Sequence, residues 1–343
     1  MKKALTLLAI PAILLSCSGN TPPASQKFAV TAGTPFAATA SEPRLTNIRM
    51  LTNGGENAEA YFSGDETKLI FQRTRPPELP CDQIFTYDLR TGEEKLVSTG
   101  KGRTTCGYFY PSDKKITYAS THHVNTACPA PPDMRQGYVW ALYDYDIFAA
   151  NADGSGVTQL TENAPCNWSP RWSPDGARLA FPDGTNSYLL TLDQPMGTRK
   201  AEPLPRVDDA GAFMVSSWSP NDRALAGMVY RRDGSQVPGI VLYWLESKKY
   251  QRLTDFGFGA VWMSDSRRLL IGGREEDALD PSKRKLLLLD TVSGKSVPLL
   301  DVPARTARGK FGISRDDRTI FFVEDHTEAD VWQMTLQRPP KTD

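Results

Sequence analysis

The 343-residue chain has no excess of charge: 40 Lys and Arg stand against 40 Asp and Glu, with three His. It has no extended Lys/Arg run, so the electrostatic footprint of a nucleic-acid or polybasic membrane binder is missing. Hydrolase and nucleotide signatures are missing as well. There is no Gly-x-x-x-x-Gly-Lys-Ser/Thr phosphate loop, no Gly-x-Ser-x-Gly elbow and no His-Glu-x-x-His helix. Metal ligands at metal spacing are scarce, because no Cys-x-x-Cys pair occurs. His122 and His123 are adjacent, so their side chains point apart in an extended chain. Asn151-Ala-Asp-Gly-Ser-Gly156 lacks the closing Glu of a calcium loop and reads as a hairpin turn. No metal and no cofactor is expected.

What the chain does have is a repeat. Trp168 to Asp193 reads as a strand ending at Trp172-Ser173, a turn at Pro174-Asp175-Gly176, a strand at 178–181 and a third strand at 187–193. Pro presets φ, Asp bonds its own backbone, and Gly takes the positive φ of the turn. Five further turns match it: Ser63-Gly64-Asp65, Pro111-Ser112-Asp113, Ser219-Pro220-Asn221, Ser264-Asp265-Ser266 and Ser314-Arg315-Asp316. A bulky apolar residue precedes each (Phe62, Tyr110, Trp172, Trp218, Met263, Ile313) and an apolar strand follows. Most intervals between turns are about 45–50 residues, the period of propeller blades. Third strands recur as QIFTYDL (83–89), DIFAANA (146–152), SYLLTLD (187–193), GIVLYWL (239–245), KLLLLDT (285–291) and DVWQMTL (330–336).

A fourth strand follows five of the six third strands but is missing from the last. Asn47 to Thr52 resembles those fourth strands, and so is expected to close the last blade from the N-terminal side. Such a closure leaves no open seam. The expected fold is all-β: a six-bladed propeller of four-stranded antiparallel blades over residues 43–337, with a short tail at 338–343.

Before it, Lys2-Lys3 and the apolar run Ala4–Leu15 make an export signal, too short for a spanning helix. Leu14-Leu15-Ser16-Cys17 resembles the bacterial lipobox, with Leu15 a less usual choice. The resemblance implies cleavage at Cys17 and lipidation there, the alternative being an ordinary signal peptide. Ser18, in place of Asp, points by the same resemblance to the outer membrane. Residues 18–42, rich in Ala, Thr, Ser and Pro, read as a flexible tether.

Beyond Cys17, four cysteines remain: Cys81, Cys106, Cys128 and Cys166. In an exported chain an even number favours disulfides. Three pairings are open; the repeat frame favours Cys81–Cys106 and Cys128–Cys166, which occupy equivalent loops of successive blades. Zinc held by the four is the competing reading. The same face carries the longest insertion, Thr121 to Tyr145, with His122, Arg135, Tyr138, Trp140 and Tyr143. These residues either form a binding surface or pack the loop onto its own blade. Glu59, Arg103 and Thr105 are candidates near the central mouth of the ring.

Trp172-Ser-Pro-Asp-Gly-Ala-Arg-Leu-Ala-Phe181, with Asp146-Ile-Phe-Ala-Ala-Asn-Ala-Asp-Gly-Ser-Gly-Val-Thr-Gln-Leu-Thr161 before it, resembles the WD40-like PD40 repeat of TolB-type propellers. The match spans about residues 44–336 and weakens in blades four to six, where Asn221, Ser266 and Asp317 are read as replacing the turn glycine. The resemblance implies a protein-binding or scaffolding role in the bacterial periplasm; with the lipobox, the expectation is a lipid-anchored, monomeric, non-catalytic module whose partner is another envelope protein. The alternative is a small-ligand or hydrolytic site at the central mouth. Replacing Cys17 with Ser should release the protein from the membrane fraction; a variant retained there at high salt would refute the lipid anchor.

Overall fold

The computed structural model describes residues 35–36, 45–132, 141–162, 166–195, 198–208, 211–231, 236–273, 285–301, 306–324 and 330–336. Among them are 25 strands and no helix. Two strands open the chain, β1 (Pro35–Phe36) and β2 (Leu45–Met50). The first four-stranded sheet is β3 (Glu56–Phe62), β4 (Lys68–Arg75), β5 (Leu79–Asp88) and β6 (Glu94–Leu96). The second is β7 (Thr104–Phe109), β8 (Lys115–Ser120), β9 (Asp146–Asn151) and β10 (Thr158–Gln159). The third is β11 (Arg171–Trp172), β12 (Arg178–Pro182), β13 (Ser187–Thr191) and β14 (Glu202–Pro203). The fourth is β15 (Gly211–Trp218), β16 (Ala224–Arg231), β17 (Gln236–Trp244) and β18 (Lys249–Arg252). The fifth is β19 (Phe258–Trp262), β20 (Arg268–Gly272), β21 (Lys285–Asp290) and β22 (Ser296–Asp301).

The last sheet joins both ends of the chain. β23 (Thr306–Ile313), β24 (Thr319–Glu324) and β25 (Val331–Leu336) pair in order, then β2 pairs with β25 and β1 with β2. The closing strand expected at 47–52 is thus present two residues earlier. Pro35 and Phe36, within the stretch read as tether, add a fifth strand. Every pairing is antiparallel, and β23 of the last sheet packs on β3 of the first. The architecture is a β-propeller.

The core is divided among the seams. Six apolar clusters each join two successive sheets, for example Ile70, Ile84, Phe109, Ile116 and Phe148 between the first and second. Middle strands covered on both faces need continuous apolar runs, which explains Leu69-Ile70-Phe71, Leu269-Leu270-Ile271 and Leu286 to Leu289, all buried. Outer strands β6, β10 and β14 are only two or three residues long, which limits edge pairing.

Hydroxyls stitch third strands to outer ones. Ser98, Thr161, Thr254 and Thr52 each accept the backbone N–H of a third-strand residue: Ile84, Ile147, Ile240 and Val331, at 2.9 Å throughout. At the chain-end seam Thr52 also donates to Asp330 (2.8 Å), as does Asn57 of the first sheet (3.0 Å). Thr161 and Asn167 treat Asp146 the same way (3.1 and 2.9 Å). The seam that joins the termini therefore copies a seam made within the chain.

The turns between first and second strands are six copies of one geometry. In each, the N–H of the fourth residue returns to the carbonyl of the first: Glu66 to Ser63, Asp113 to Tyr110, Gly176 to Ser173, Asp222 to Ser219, Ser266 to Met263 and Asp317 to Ser314. All six fourth residues have positive φ, between 54° and 72°. In the fourth turn the strained residue is Asp222, not Asn221 as read from the sequence; Asn221 instead accepts from the Ser219 hydroxyl.

Only one of these positions is glycine, and the other five side chains are used. Each reaches the preceding blade. Asp113 accepts from the N–H groups of Gly64 and Asp65, Asp317 from the N–H and hydroxyl of Ser264, Glu66 from the N–H of Arg315, and Ser266 from the N–H of Asn221. Asp222 pairs with Arg178 at 2.5 Å. What reads as decay of the turn motif is a chain of clasps between blades.

Asp317→Gly tests this. Relief of positive φ stabilises by about 1 kcal/mol, but two charge-assisted bonds are lost, each about 1.5–3 kcal/mol. The expected net is a loss of about 2–5 kcal/mol in chemical denaturation; an unchanged or raised midpoint would show that the clasp contributes nothing.

Candidate functional site

The connections from second to third strands and the starts of the first strands lie on one face. There β5 begins Leu79-Pro80-Cys81-Asp82-Gln83, and Cys81 is disulfide-bonded to Cys128, with Cα atoms 5.6 Å apart. The bond ties the edge of the first blade to the long insertion of the second. Cys106 and Cys166 are buried free thiols. This overturns the expected pairs Cys81–Cys106 and Cys128–Cys166. Cys106 is not in a linking loop: it sits inside β7 at a bulge with φ 52°, fully buried. Cys166 packs with Ala119 and Tyr145, and burial pushes its thiol up to about 12.

Beside the disulfide, Asp82 organises a polar cluster. Its carboxylate accepts from Thr74 Oγ1 (2.5 Å) and from Arg103 Nη1 (2.7 Å), and its carbonyl accepts from Thr104 Oγ1 (2.9 Å). The Arg103 guanidinium lies 5.5 Å from the centre of the Tyr143 ring, and Tyr143 donates to the carbonyl of Ala130 (2.8 Å). Desolvation, then Asp82, raise the Glu56 carboxyl against the pull of Arg103. His122 rests on Phe148 (ring centres 4.3 Å) with Nδ1 2.7 Å from Ser120 Oγ, and burial holds its imidazole below its usual range. His123 Nε2 meets Asp146 at 2.9 Å.

Arg103, expected near the central mouth, instead meets Tyr143 of the insertion, and His122 lies on the same blade as Tyr143. Arg135, Tyr138 and Trp140 lie outside the described residues. Glu59 and Thr105 belong elsewhere, on the innermost strands: Glu59 accepts from the Tyr61 hydroxyl (2.5 Å) and Thr105 donates to Gln72 (2.9 Å). Those strands are bulged. Register shifts fall between Ala58 and Tyr61, Thr105 and Tyr108, Val215 and Ser217, and Phe258 and Val261. A bulge moves alternate side chains to the other face.

The residues two positions before the first residue of each turn are Tyr61, Tyr108, Arg171, Ser217, Val261 and Gly312. All six are half-buried. Tyr61 and Tyr108 stack at 4.1 Å, and the Arg171 guanidinium lies 4.4 Å from the Tyr108 ring centre and 5.7 Å from that of Tyr61. Sequence reading missed Asp82, Tyr61, Tyr108 and Arg171. The signal was the common offset of the last three from the turns, which is visible only once the turns are aligned by their hydrogen bonds. No group of three metal-ligating side chains occurs among the described residues.

These sheets and their order define a β-propeller with four-stranded antiparallel blades, the fold of TolB and its structural relatives. No protein-family model matches the sequence, and no curated protein matches it. Among solved structures, TolB from Acinetobacter baumannii aligns over 84% of this chain and 64% of its own, at 16% identity and TM-score 0.52. This chain thus spans a little under two thirds of that protein. A TolB of Agrobacterium tumefaciens aligns over 82% of this chain and 91% of its own, at 14% identity and TM-score 0.55. An oligogalacturonate lyase solved with manganese aligns over 83% and 79%, at 16% identity and TM-score 0.53. At such identities the likeness is one of fold.

The disulfide closes a loop of 47 residues, for which chain entropy gives about 4 kcal/mol. A non-reduced digest should yield one linked peptide pair, Cys81 with Cys128, and Cys81→Ser should lower the melting temperature. A Cys81–Cys106 peptide would contradict the arrangement.

Proposed function

We propose that the chain is a lipid-anchored, monomeric, non-catalytic six-bladed propeller of the bacterial periplasm, counting the sheet shared by both chain ends as the sixth blade. It sits on the outer membrane through Cys17 and binds another envelope protein through the face bearing the disulfide. The observation that carries this reading is the pinning of that face. Cys81–Cys128 and the Asp82–Arg103–Tyr143 cluster hold the start of β5, the β6–β7 link and the long insertion against one another. Loops ordered beforehand lose less entropy when a partner docks, and an Arg and a Tyr in contact are the side chains that anchor interfaces. Likeness of fold to TolB structures agrees with a binding module.

A second reading places a small-ligand or hydrolytic site on the ring axis. The shared fold of an oligogalacturonate lyase and the Tyr61–Tyr108–Arg171 group favour it. The two readings separate in one experiment: crosslinking in intact envelopes with mass spectrometry of captured proteins, using the parent chain, Tyr143→Ala and Trp140→Ala. An interface anchor should cost about 2 kcal/mol, roughly thirtyfold in affinity, with melting unchanged. Lowered melting with undiminished capture by the folded fraction would mean that these rings only pack the insertion.

A further inference from the structure

The ring formed by Tyr61, Tyr108, Arg171, Ser217, Val261 and Gly312 is lopsided. Three neighbouring blades contribute long polar side chains, and the three opposite contribute a hydroxymethyl, an isopropyl and no side chain. Innermost strands pack around the axis, so the bulk of this ring lies in one half.

The backbone is strained to build the large half. Glu59, Cys106 and Ser169, each two residues before Tyr61, Tyr108 and Arg171, have φ of 55°, 52° and 49°. In the fifth blade the same position is Gly259, where φ 61° carries no side-chain penalty. Non-glycine residues in this region are strained and collect at ligand clamps. Three of them here direct three side chains to one point.

At that point is a cation without a counter-ion. Arg171 is held by backbone carbonyls: Nε donates to Ser216, and Nη1 to Pro170 (3.2 Å) and Ser169 (3.4 Å). No carboxylate among the described residues lies within ion-pair distance of it; its side-chain partner is the Tyr61 hydroxyl, which itself donates to Glu59. The Tyr108 hydroxyl is buried and has no hydrogen-bond partner among the described residues. A guanidinium fixed by three carbonyls and backed by two rings presents its remaining N–H edge in one direction, a geometry suited to an oxyanion.

We infer that the propeller axis holds a binding site for a carboxylate, with Arg171 as its anchor, Tyr61 and Tyr108 as its wall, and Ser217, Val261 and Gly312 leaving room for the ligand's body. A monoanion fits better than a phosphate dianion, since one guanidinium supplies the charge and the Glu59 carboxylate stands behind Tyr61. The carboxylate belongs either to a free small acid or to the C-terminus of a peptide. This site is separate from the disulfide-bearing face, so failure of one assignment leaves the other standing.

The test uses the wild-type chain: phenylglyoxal labelling of Arg171 followed by mass spectrometry. The probes are propionate, its uncharged isostere propionamide, inorganic phosphate, and tetraglycine with a free or an amidated C-terminus. Native Arg171 should react, and a carboxylate probe should slow labelling at least about threefold at saturation, with propionamide and the amidated peptide inert. Stronger protection by the free-acid peptide than by propionate would assign the site to a chain terminus, and the reverse to a small acid. In Tyr108→Phe, which keeps the ring, half-protection should need about tenfold more carboxylate, the loss of one bond to a charged group. Unreactive native Arg171, equal protection by propionamide or phosphate, no protection by either acid, or an unshifted midpoint in Tyr108→Phe would overturn the assignment.

Discussion

A ring of sheets depends on its last seam. Here that seam is the pairing of β2 with β25, reinforced where Asp330 accepts from Thr52 and Asn57, side chains 278 and 273 residues away along the chain. The long loop closure is compensated because the seam is built like its neighbours. The outer-strand Thr, the third-strand Asp and the next blade's Asn repeat as Thr161, Asp146 and Asn167. Buried bonds of this kind cost about 1–3 kcal/mol when one partner is lost. Each apolar core cluster spans two sheets, so opening the seam would expose faces on both sides.

The turns carry a second constraint around the ring. A positive-φ residue with a side chain is normally a cost that glycine avoids. Five blades accept that cost, and their side chains bond the preceding blade's turn; the glycine blade, at Gly176, has only Pro111 nearby. The same exchange of local strain for a placed group occurs on the axis at Glu59, Cys106 and Ser169. On the turn face the gain is cohesion between blades. On the axis the strained strands converge on Arg171, and the gain there is not cohesion alone, because no carboxylate among the described residues pairs with its charge.

The two faces differ in their chemistry. The turn face is braced by Asp and Ser side chains bonded to backbone N–H groups. The opposite face holds the disulfide, Asp82, Arg103 and Tyr143, where one covalent link and one ion pair replace a regular pattern. Regularity suits a scaffold, and it is locally suspended at the first two blades.

Blade period, strand order and the closing strand follow from the sequence alone, because a turn with Ser and Asp between apolar strands dictates its own local geometry wherever it occurs. The same locality explains why Arg103 and Tyr143 could be named as candidates: both flank turns or insertions whose position in the repeat is countable. Tertiary structure decided the rest. The pairing of Cys81 with Cys128 depends on where an insertion folds back, and no spacing encodes that. The innermost strands are bulged, and it is their folded course that brings Tyr61 and Tyr108 together. The meeting of Tyr61, Tyr108 and Arg171, drawn from three blades at intervals of 47 and 63 residues, exists only because the ring closes.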